Sequence, residues 1–332
     1  MSMQLLQKAR VVSVRNETPR VREVVLEHAL RDRFQPFKAG SYITVALPGG
    51  INRQYSLCGD PRDTRRYRLG VLLTEDSRGG SRAIHALKPG DTLFVSYPGN
   101  SFGLSDAADH HVLLAGGIGI TPILSMASVL AANGSSFEVH YGARSSADLG
   151  FLAELSALCP QRQLHCYTEG SGTAPRPDFI DILGSAPPKT HIYACGPAPM
   201  LEALMCAADT IGFPVERIHK EQFAALSVGQ IHGEPFEIEI AGSGEVIPVG
   251  AEQTALGVLR ATGHVVPSSC EGGICGECRV GLVAGTAIHQ DKVLSDDEAR
   301  SEFICCVSRA KGRVTLQLPP QPKPDVQKES PK

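Results

Sequence analysis

The sequence predicts a multidomain protein with an N-terminal antiparallel β-barrel, a central α/β domain with a doubly wound parallel sheet, and a C-terminal α+β unit. Three observations support this order. Short strands separated by Gly and Pro turns fill the first hundred residues, strands then alternate with helices, and a cysteine-rich loop follows them. We place the domains at residues 1–104, 105–228 and 229–318, with a disordered tail of low apolar content at residues 319–332.

Length and composition describe an ordinary globular protein. The 332 residues suffice for two or three domains, and 42% of them are hydrophobic and 20% charged. A net charge of -3 does not favour nucleic acid or an anionic membrane surface as a partner. The first residues, MSMQLLQKAR, lack the apolar run of a secretory signal, so the ten cysteines predict reduced thiols and metal ligands in a cytoplasmic protein.

The barrel is predicted from segments rich in β-branched and aromatic residues, which are divided by Gly and Pro breaks. These segments are Arg10–Val14, Val21–Leu26, Tyr42–Leu47, Tyr67–Thr74 and Thr92–Tyr97. Many short, evenly spaced strands are typical of a small antiparallel barrel.

Two stretches of the barrel carry polar groups suited to an anionic ring ligand. In RQYSLCGD, from Arg53 to Asp60, an arginine can neutralise a phosphate, a tyrosine can lie along an aromatic ring, and a serine can hydrogen-bond a ring nitrogen. A Tyr-Ser pair is also common in half-buried sheet. Further on, Gly79-Gly80-Ser81 leads into a short amphipathic helix, which predicts an anion site or an ordinary helix N-cap by Ser81.

The central domain is predicted from alternating strands and helices. The strands are His111–Gly117, Phe137–Tyr141, Gln163–Tyr167 and His191–Ala194, and the helices are Thr121–Ala132, Phe151–Leu158 and Pro199–Asp209. The uncharged stretch Val112–Ala132 is long enough for a membrane span. Its three glycines and one proline favour a buried strand, a turn and a helix instead.

Two strand ends of the central domain carry candidate ligand-binding turns, because ligands of doubly wound sheets bind beyond the carboxyl ends of the strands. The first turn is GGIGITP, Gly116 to Pro122, which is not the full G-x-G-x-x-G dinucleotide fingerprint. The second is in YACGPAPM, where Cys195 precedes Gly196 and Pro197. The Cys195 thiol could touch a nicotinamide ring or could simply belong to the core.

The C-terminal unit begins after Phe223 and a small-residue linker, AALSVGQIHGE. A helix is predicted at Thr254–Ala261, stopped by Gly263. The predicted strands are Phe236–Ile240, Val246–Val249, Arg279–Val283 and Val314–Leu318.

The loop SCEGGICGEC within this unit carries the strongest functional signal. Three of its cysteines stand at C-x4-C-x2-C spacing, and a fourth cysteine follows within FICCVSRA. The three are Cys270, Cys275 and Cys278, and the fourth is Cys305 or Cys306. This is the ligand order of plant-type 2Fe-2S ferredoxins.

The glycines of the loop fit the same interpretation. Gly272, Gly273 and Gly276 can take positive φ, so that amide N–H groups can point at cluster sulfurs. Structural zinc is the alternative. Zinc sites usually pair two C-x2-C knuckles, however, and the adjacent Cys305 and Cys306 cannot easily both ligate one ion.

Taken together, RQYS, the GGS loop, GGIGITP, CGPAPM and CEGGICGEC resemble the phthalate dioxygenase reductase family, which includes the similar reductase components of vanillate-type O-demethylases. The resemblance covers residues 5–318, and the order of the motifs is more specific than any single motif. It implies an FMN-binding barrel, an NADH-binding domain and a plant-type ferredoxin of the β-grasp fold. The implied function is a reductase of aromatic compound degradation that passes electrons from NADH through FMN and a 2Fe-2S cluster to a Rieske non-haem iron oxygenase.

The resemblance also implies residue roles in the flavin site. Arg53 would meet the flavin phosphate, Tyr55 would lie against the flavin, and Ser56 would bond near its N5 atom. Residues that would complete the phosphate site are Gly79, Gly80 and Ser81. Phe223 is similar to an aromatic residue beside the flavin, although it could simply plug the linker.

Further roles concern NADH and the cluster. The glycines Gly116, Gly117 and Gly119 would cradle the pyrophosphate. Thr121 and the turn Cys195-Gly196-Pro197 would flank the nicotinamide, which makes Ser56 and Cys195 the candidate catalytic residues. The family's fourth cluster ligand directly precedes Val-Ser-Arg, which selects Cys306.

Two departures from the family pattern affect the partners. Many relatives read Asp-His-Arg-Asp where this chain has Ile288-His289-Gln290-Asp291, so the docking surface is not defined by the motif. Arg144 follows a strand and could bind the 2′-phosphate of NADPH, but a surface arginine is commoner, so NADH is predicted. Residues 229–318 hold 12 Asp and Glu against 7 Lys and Arg, a net charge of -5, which is either a solvated surface or an acidic face for a basic partner.

The alternatives fall into two classes. One is a reductase for another acceptor, such as a separate ferredoxin, a diiron oxygenase or a haem protein. The other is a redox-sensing or zinc-stabilised module without turnover, against which the flavin and nicotinamide motifs argue. A monomer suits a shuttle that must expose its cluster.

Overall fold

The computed structural model describes residues 6–48, 51–75, 77, 79–159, 163–169, 176–223 and 233–321. They belong to two compact units, Met3–Ala224 and Ala225–Lys332. The predicted disordered tail, apart from residues 319–321, and most of the predicted linker lie outside the described residues. No helix within the described residues is long and apolar enough to cross a bilayer.

The first unit begins with an antiparallel sheet. Its strands are β1 (Leu6–Asn16), β2 (Val21–His28), β3 (Ser41–Leu47), β4 (Ile51–Ser56), β5 (Arg66–Leu72), β6 (Thr92–Ser96) and β7 (Gly99–Asn100), with helix α1 (Gly80–Ala86) before β6. The strand order is β4-β3-β6-β1-β2-β5, and β7 pairs with β3. Leu57 bridges Leu69 of β5, which brings the two edge strands together. The sheet is therefore a nearly closed barrel, and the predicted fold of this region is confirmed.

The rest of the first unit is a parallel five-stranded sheet between helices. Its elements are β8 (His110–Gly116), α2 (Ile120–Ala132), β9 (Ser136–Ala143), α3 (Leu152–Leu158), β10 (Leu164–Thr168), α4 (Phe179–Gly184), β11 (Thr190–Cys195), α5 (Ala198–Ile211) and β12 (Ile218–Glu221). The order β10-β9-β8-β11-β12 reverses direction between β8 and β11, which is the switch point where ligands of such sheets bind. The sequence patterns did not predict β12 or α4.

The second unit contains a mixed sheet and one helix. Its elements are β13 (Phe236–Ile240), β14 (Val246–Val249), α6 (Ala255–Ala261), β15 (Arg279–Ile288), β16 (Glu302–Ile304) and β17 (Arg309–Gln317). The order is β14-β13-β17-β15-β16, with β13 and β17 parallel. Thr254 caps α6 by accepting a hydrogen bond from the Gly257 amide at 3.0 Å.

Arg309 organises the second unit from within. It is 1% exposed, and its guanidinium donates hydrogen bonds to the carbonyls of Glu234, Gly250 and Gln253. The guanidinium carbon also lies 4.9 Å from the centre of the Phe236 ring. Because Arg309 begins β17 three residues after Cys306, these bonds fix the backbone that presents that thiol.

Candidate functional site

Three side chains from separate segments converge at the carboxyl edge of the parallel sheet. Ser56, the last residue of β4, donates a long hydrogen bond of 3.5 Å from its hydroxyl to Oε2 of Glu221. Glu221 ends β12 and lies in register with Cys195 at the end of β11. The barrel and the parallel sheet therefore meet at the two sequence-predicted catalytic residues, Ser56 and Cys195.

Burial sets the protonation of this group. It raises the pKa of Glu221 to about 7, against a smaller opposing effect of the Ser56 hydrogen bond. Burial, with the Glu221 carboxyl as a smaller cause, also raises the pKa of Cys195 well above its usual value. Cys195 is a neutral thiol at neutral pH, whereas Glu221 can bind or release a proton there.

Glu221 is a candidate functional residue that the sequence patterns missed. The signal was an acidic residue directly before Gln222-Phe223, at the end of a short strand that was not predicted. Phe223 itself is 38% exposed. Cys195 has no exposed surface, so a nicotinamide ring can touch its thiol only if covering groups move.

The two strand-end turns of the parallel sheet pack directly on each other. A Cβ atom on Gly119 would lie 2.1 Å from the carbonyl oxygen of Cys195, and one on Gly116 would lie 2.7 Å from Cδ of Pro197. These approaches are possible only for glycine. The residues predicted to hold NADH, from GGIGITP and CGPAPM, are thereby brought together, and Gly117 between them has a φ of 54°.

Thr121 contacts the barrel from the start of α2. It is 2% exposed, and its hydroxyl donates a hydrogen bond of 3.0 Å to the Ile118 carbonyl. A Cβ atom on Gly70 of β5 would lie 2.7 Å from its methyl group. Thr121 therefore packs where the GGIGITP turn meets the barrel.

The predicted phosphate-binding residues also lie together. A Cβ atom on Gly80 would lie 2.7 Å from Cγ of Arg53, so the arginine side chain runs along the first turn of α1. Gly79 is the N-cap of α1 and has a left-handed backbone conformation with a φ of 92°. Ser81 is therefore not the N-cap, which was one of the two predictions for this loop. The Ser81 hydroxyl instead accepts a hydrogen bond of 3.3 Å from the Thr74 amide. Burial raises the pKa of the nearby Tyr55 to about 12, which keeps its ring neutral.

An ion-pair network joins the barrel to helix α3 beside the parallel sheet. Arg68 of β5 donates hydrogen bonds of 2.7 Å to both carboxylate oxygens of Glu154 on α3. It also donates two hydrogen bonds, of 2.8 and 2.6 Å, to Glu23 of β2. A bidentate pair fixes orientation as well as distance.

The four predicted cluster cysteines form two pairs in the second unit. Cys270 is hydrogen-bonded to Cys275, and Cys278 to Cys306. A 2Fe-2S cluster needs two thiolates on each iron, so two thiol pairs fit it. Cys305 is fully buried, and its amide donates to the Cys278 carbonyl at 3.1 Å, which supports Cys306 as the fourth ligand.

Amide groups around the first pair stabilise a thiolate. The Gly272 amide donates to Sγ of Cys270 at 3.3 Å. Together with the hydrogen bond from Cys275, which is the largest cause, such amides lower the pKa of Cys270 to about 5. Gly273 and Gly276 take positive φ as predicted, but Gly272 does not, and Glu271 takes a φ of 50° in its place.

Known proteins match both units. A 2Fe-2S iron-sulfur cluster binding domain model matches residues 238–311, and an oxidoreductase NAD-binding domain model matches residues 113–205. The chain is 40% identical over 315 residues to a heme-dependent oxidative N-demethylase beta subunit of Ectopseudomonas mendocina (strain ymp), covering 95% of this chain and 99% of that relative. It is 38% identical over 279 residues to phthalate dioxygenase reductase of Burkholderia cepacia, covering 83% and 86%.

A solved structure extends the match to the whole fold. Phthalate dioxygenase reductase, described as a modular structure for electron transfer from pyridine nucleotides to [2Fe-2S], superposes with a TM-score of 0.80 at 34% identity, over 94% of this chain and 98% of that one. The chain belongs to the phthalate dioxygenase reductase family. Membership in the phthalate dioxygenase reductase family confirms the oxidoreductase class and the cofactors FMN, NADH and a 2Fe-2S cluster. It also confirms the predicted function of a reductase that carries electrons from NADH to 2Fe-2S within an oxygenase system.

Proposed function

We propose that this protein takes hydride from NADH and delivers single electrons to a separate Rieske non-haem iron oxygenase. The proposal rests on one observation, that the same chain holds two kinds of site. The cysteine pairs Cys270–Cys275 and Cys278–Cys306 are in contact, and Ser56, Glu221 and Cys195 lie together at the edge of the parallel sheet. When bound, FMN accepts the two electrons of a hydride and the cluster accepts them singly, so the two sites together link a two-electron donor to a one-electron acceptor. Relatives named as dioxygenase and demethylase components support the oxygenase partner.

The barrel residues bind and orient the flavin in this proposal. Arg53 neutralises the phosphate beside the turn that holds Gly79, Gly80 and Ser81. Tyr55 lies along the ring as a neutral phenol, and Phe223 contributes a second aromatic surface. Support comes from the packing of Arg53 on Gly80.

The nucleotide domain binds NADH through its two packed turns. The glycines that approach the pyrophosphate are Gly116, Gly117 and Gly119. The nicotinamide is flanked by Thr121, Cys195, Gly196 and Pro197. Cys195 is fully buried, so its neutral thiol meets the nicotinamide only after the groups that cover it move.

Ser56 and Glu221 form a proton-binding pair where the barrel meets the parallel sheet. Glu221 accepts the hydrogen bond of the Ser56 hydroxyl at 3.5 Å. Because the pKa of Glu221 is about 7, its carboxyl can hold a proton or release it at neutral pH. The Ser56 hydroxyl could then donate a hydrogen bond to a bound flavin ring or accept one from it.

We further propose three domains at residues 1–104, 105–228 and 229–318, with Cys270, Cys275, Cys278 and Cys306 as cluster ligands. The acidic surface of the last domain, with a net charge of -5, would dock on a basic patch of the oxygenase. The chain would act as a cytoplasmic monomer.

The test is anaerobic reduction by NADH, followed by mixing with a purified Rieske oxygenase component. Bleaching of overlapping flavin and iron-sulfur bands, then reoxidation by the oxygenase with a rate that falls as salt rises, would support the proposal. Flavin that bleaches without an iron-sulfur signal would contradict the cluster assignment. A transfer rate unchanged between low and high salt would contradict the acidic docking face.

A haem-dependent partner is the second candidate, and a specific observation favours it. The relative that is matched over 99% of its length is a heme-dependent demethylase subunit. An intact self-sufficient cytochrome P450 monooxygenase also superposes on 94% of this chain with a TM-score of 0.70 and 35% identity. Presenting the reduced protein with a purified haem oxygenase and a Rieske oxygenase separately distinguishes the two, since only the true acceptor should reoxidise it rapidly.

A further inference from the structure

Two strands of the parallel sheet bring together three side chains that have no part in the proposed electron path. Glu138 and His140 lie on one face of β9, two residues apart, and His165 of β10 is in register with His140. One ligand atom from each of the three lies within 4.8 Å of the others. Within the described residues this is the one such set of three His, Cys, Asp or Glu ligands.

The spacing suits a small divalent ion. Nε2 of His140 and Oε1 of Glu138 are 3.4 Å apart. In a tetrahedron with metal–ligand distances of about 2.1 Å, neighbouring ligand atoms are separated by about 3.4 Å. The remaining separations, up to 4.8 Å, can close through the side chain of His165, which is exposed.

His140, the middle residue of the three, can act as a ligand through its Nε2 atom. His140 is 6% exposed, and its buried Nε2 atom faces the Glu138 carboxylate, whose Oε1 atom is 3.4 Å away. Its other ring nitrogen, Nδ1, lies 2.8 Å from the Tyr167 hydroxyl. If Nδ1 carries the proton and donates it to that oxygen, the Nε2 lone pair is free and aimed at the site.

Parallel pairing holds the two imidazoles side by side. The rings of His140 and His165 are stacked with centroids 4.7 Å apart, so the exposed His165 ring has to turn about its side-chain bonds before both lone pairs can face one ion.

We propose that Glu138, His140 and His165 bind one Zn²⁺ ion, with water in the fourth position. A set of two imidazoles and one carboxylate is a recognised zinc ligand set that leaves a position open. The ion reaches the site past exposed His165 and fastens edge strand β10 to β9. It is separate from the cysteine cluster, which lies in the other unit.

The experiment is zinc titration of the holoenzyme, with bound zinc and iron counted on the same dialysed sample. The wild type should bind about one Zn²⁺ per chain with all its iron retained, and zinc should raise its unfolding temperature. His165→Ala and Glu138→Gln should each weaken zinc binding at least tenfold, while their NADH-dependent reduction is unchanged.

The matched control is His191→Ala. His191 belongs to a second stacked histidine pair of the same sheet, with Nδ1 2.9 Å from Nε2 of His219, but that pair is not part of a three-ligand set among the described residues. This variant should bind zinc like the wild type. The proposal is overturned if the wild type takes up no zinc, if His165→Ala binds it equally well, if His191→Ala loses it, or if uptake occurs only with loss of iron.

Discussion

The hydroxyl of Ser56 is hydrogen-bonded to the carboxylate of Glu221, 165 residues further along the chain. This contact joins the end of barrel strand β4 to the last strand of the parallel sheet. Both residues are largely buried, and Glu221 has Cys195 beside it on the next strand. The barrel and the parallel sheet are thus connected through one titratable group.

Stability should depend on pH through Glu221. Its pKa is raised from 4.5 to about 7 in the folded state, so the folded chain holds this proton more tightly than the unfolded chain. The resulting stabilisation is complete below pH 4.5 and is lost as pH rises through about 7, by about 3 kcal/mol at most. Glu221→Gln is neutral throughout and should not show this loss. Urea unfolding at pH 5 and pH 8 measures it, and identical pH dependence in the two proteins would contradict the assignment.

Ser56→Ala should slow flavin reduction by NADH about 10- to 100-fold, because it removes the hydroxyl that is hydrogen-bonded to Glu221. FMN and iron contents should be unchanged. Anaerobic stopped-flow measurement at saturating NADH gives the rate. The control is Ser128→Ala, since that buried hydroxyl donates only to the Ser125 carbonyl of its own helix, at 2.8 Å. Equal rates in both variants would remove Ser56 from the mechanism.

Gly119→Ala should weaken NADH binding about tenfold or more. The added methyl group would lie 2.1 Å from the Cys195 carbonyl oxygen, so the two nucleotide-binding turns must separate. The KM for NADH, measured with an artificial electron acceptor, reports the effect. Gly184→Ala adds the same methyl group where nothing lies within 4 Å, and its KM should equal that of the wild type.

Arg68→Ala should destabilise the first unit by about 1.5 to 3 kcal/mol, because the 7% exposed carboxylate of Glu23 keeps Arg15 as a partner but loses its hydrogen bonds from Arg68. Urea unfolding followed by flavin fluorescence measures this loss. The exposed pair Arg66–Glu27 of the same barrel, with side chains 55% and 32% exposed, provides the control. Arg66→Ala should cost less than about 1 kcal/mol. Similar losses in both variants would mean that Arg68 does not couple the barrel to α3.

Cys306→Ala should abolish the iron-sulfur absorption, whereas Cys305→Ala should retain it. The Cys306 thiol is hydrogen-bonded to the Cys278 thiol, whereas Cys305 contacts Cys278 through its backbone amide. Iron and sulfide analysis of the two purified variants checks this pattern. A cluster that survives in Cys306→Ala and disappears in Cys305→Ala would reverse the ligand assignment.

The sequence by itself determined the order of the domains and the identity of the cluster loop. Strand alternation, turn residues and the C-x4-C-x2-C spacing are local patterns, so they can be recognised without a fold. The predicted strands Phe236–Ile240 and Val246–Val249 match β13 and β14. The resemblance to a known family then supplied the cofactors.

Only the tertiary structure decided which side chains meet. Glu221 is on a strand of four residues that has no clear pattern of its own and exists because it pairs with β11. The same is true of His140 and His165, which parallel pairing places side by side although 24 residues separate them. Contacts of this kind depend on sheet order and register, which are set by burial over the whole domain. Local sequence carries no direct record of them.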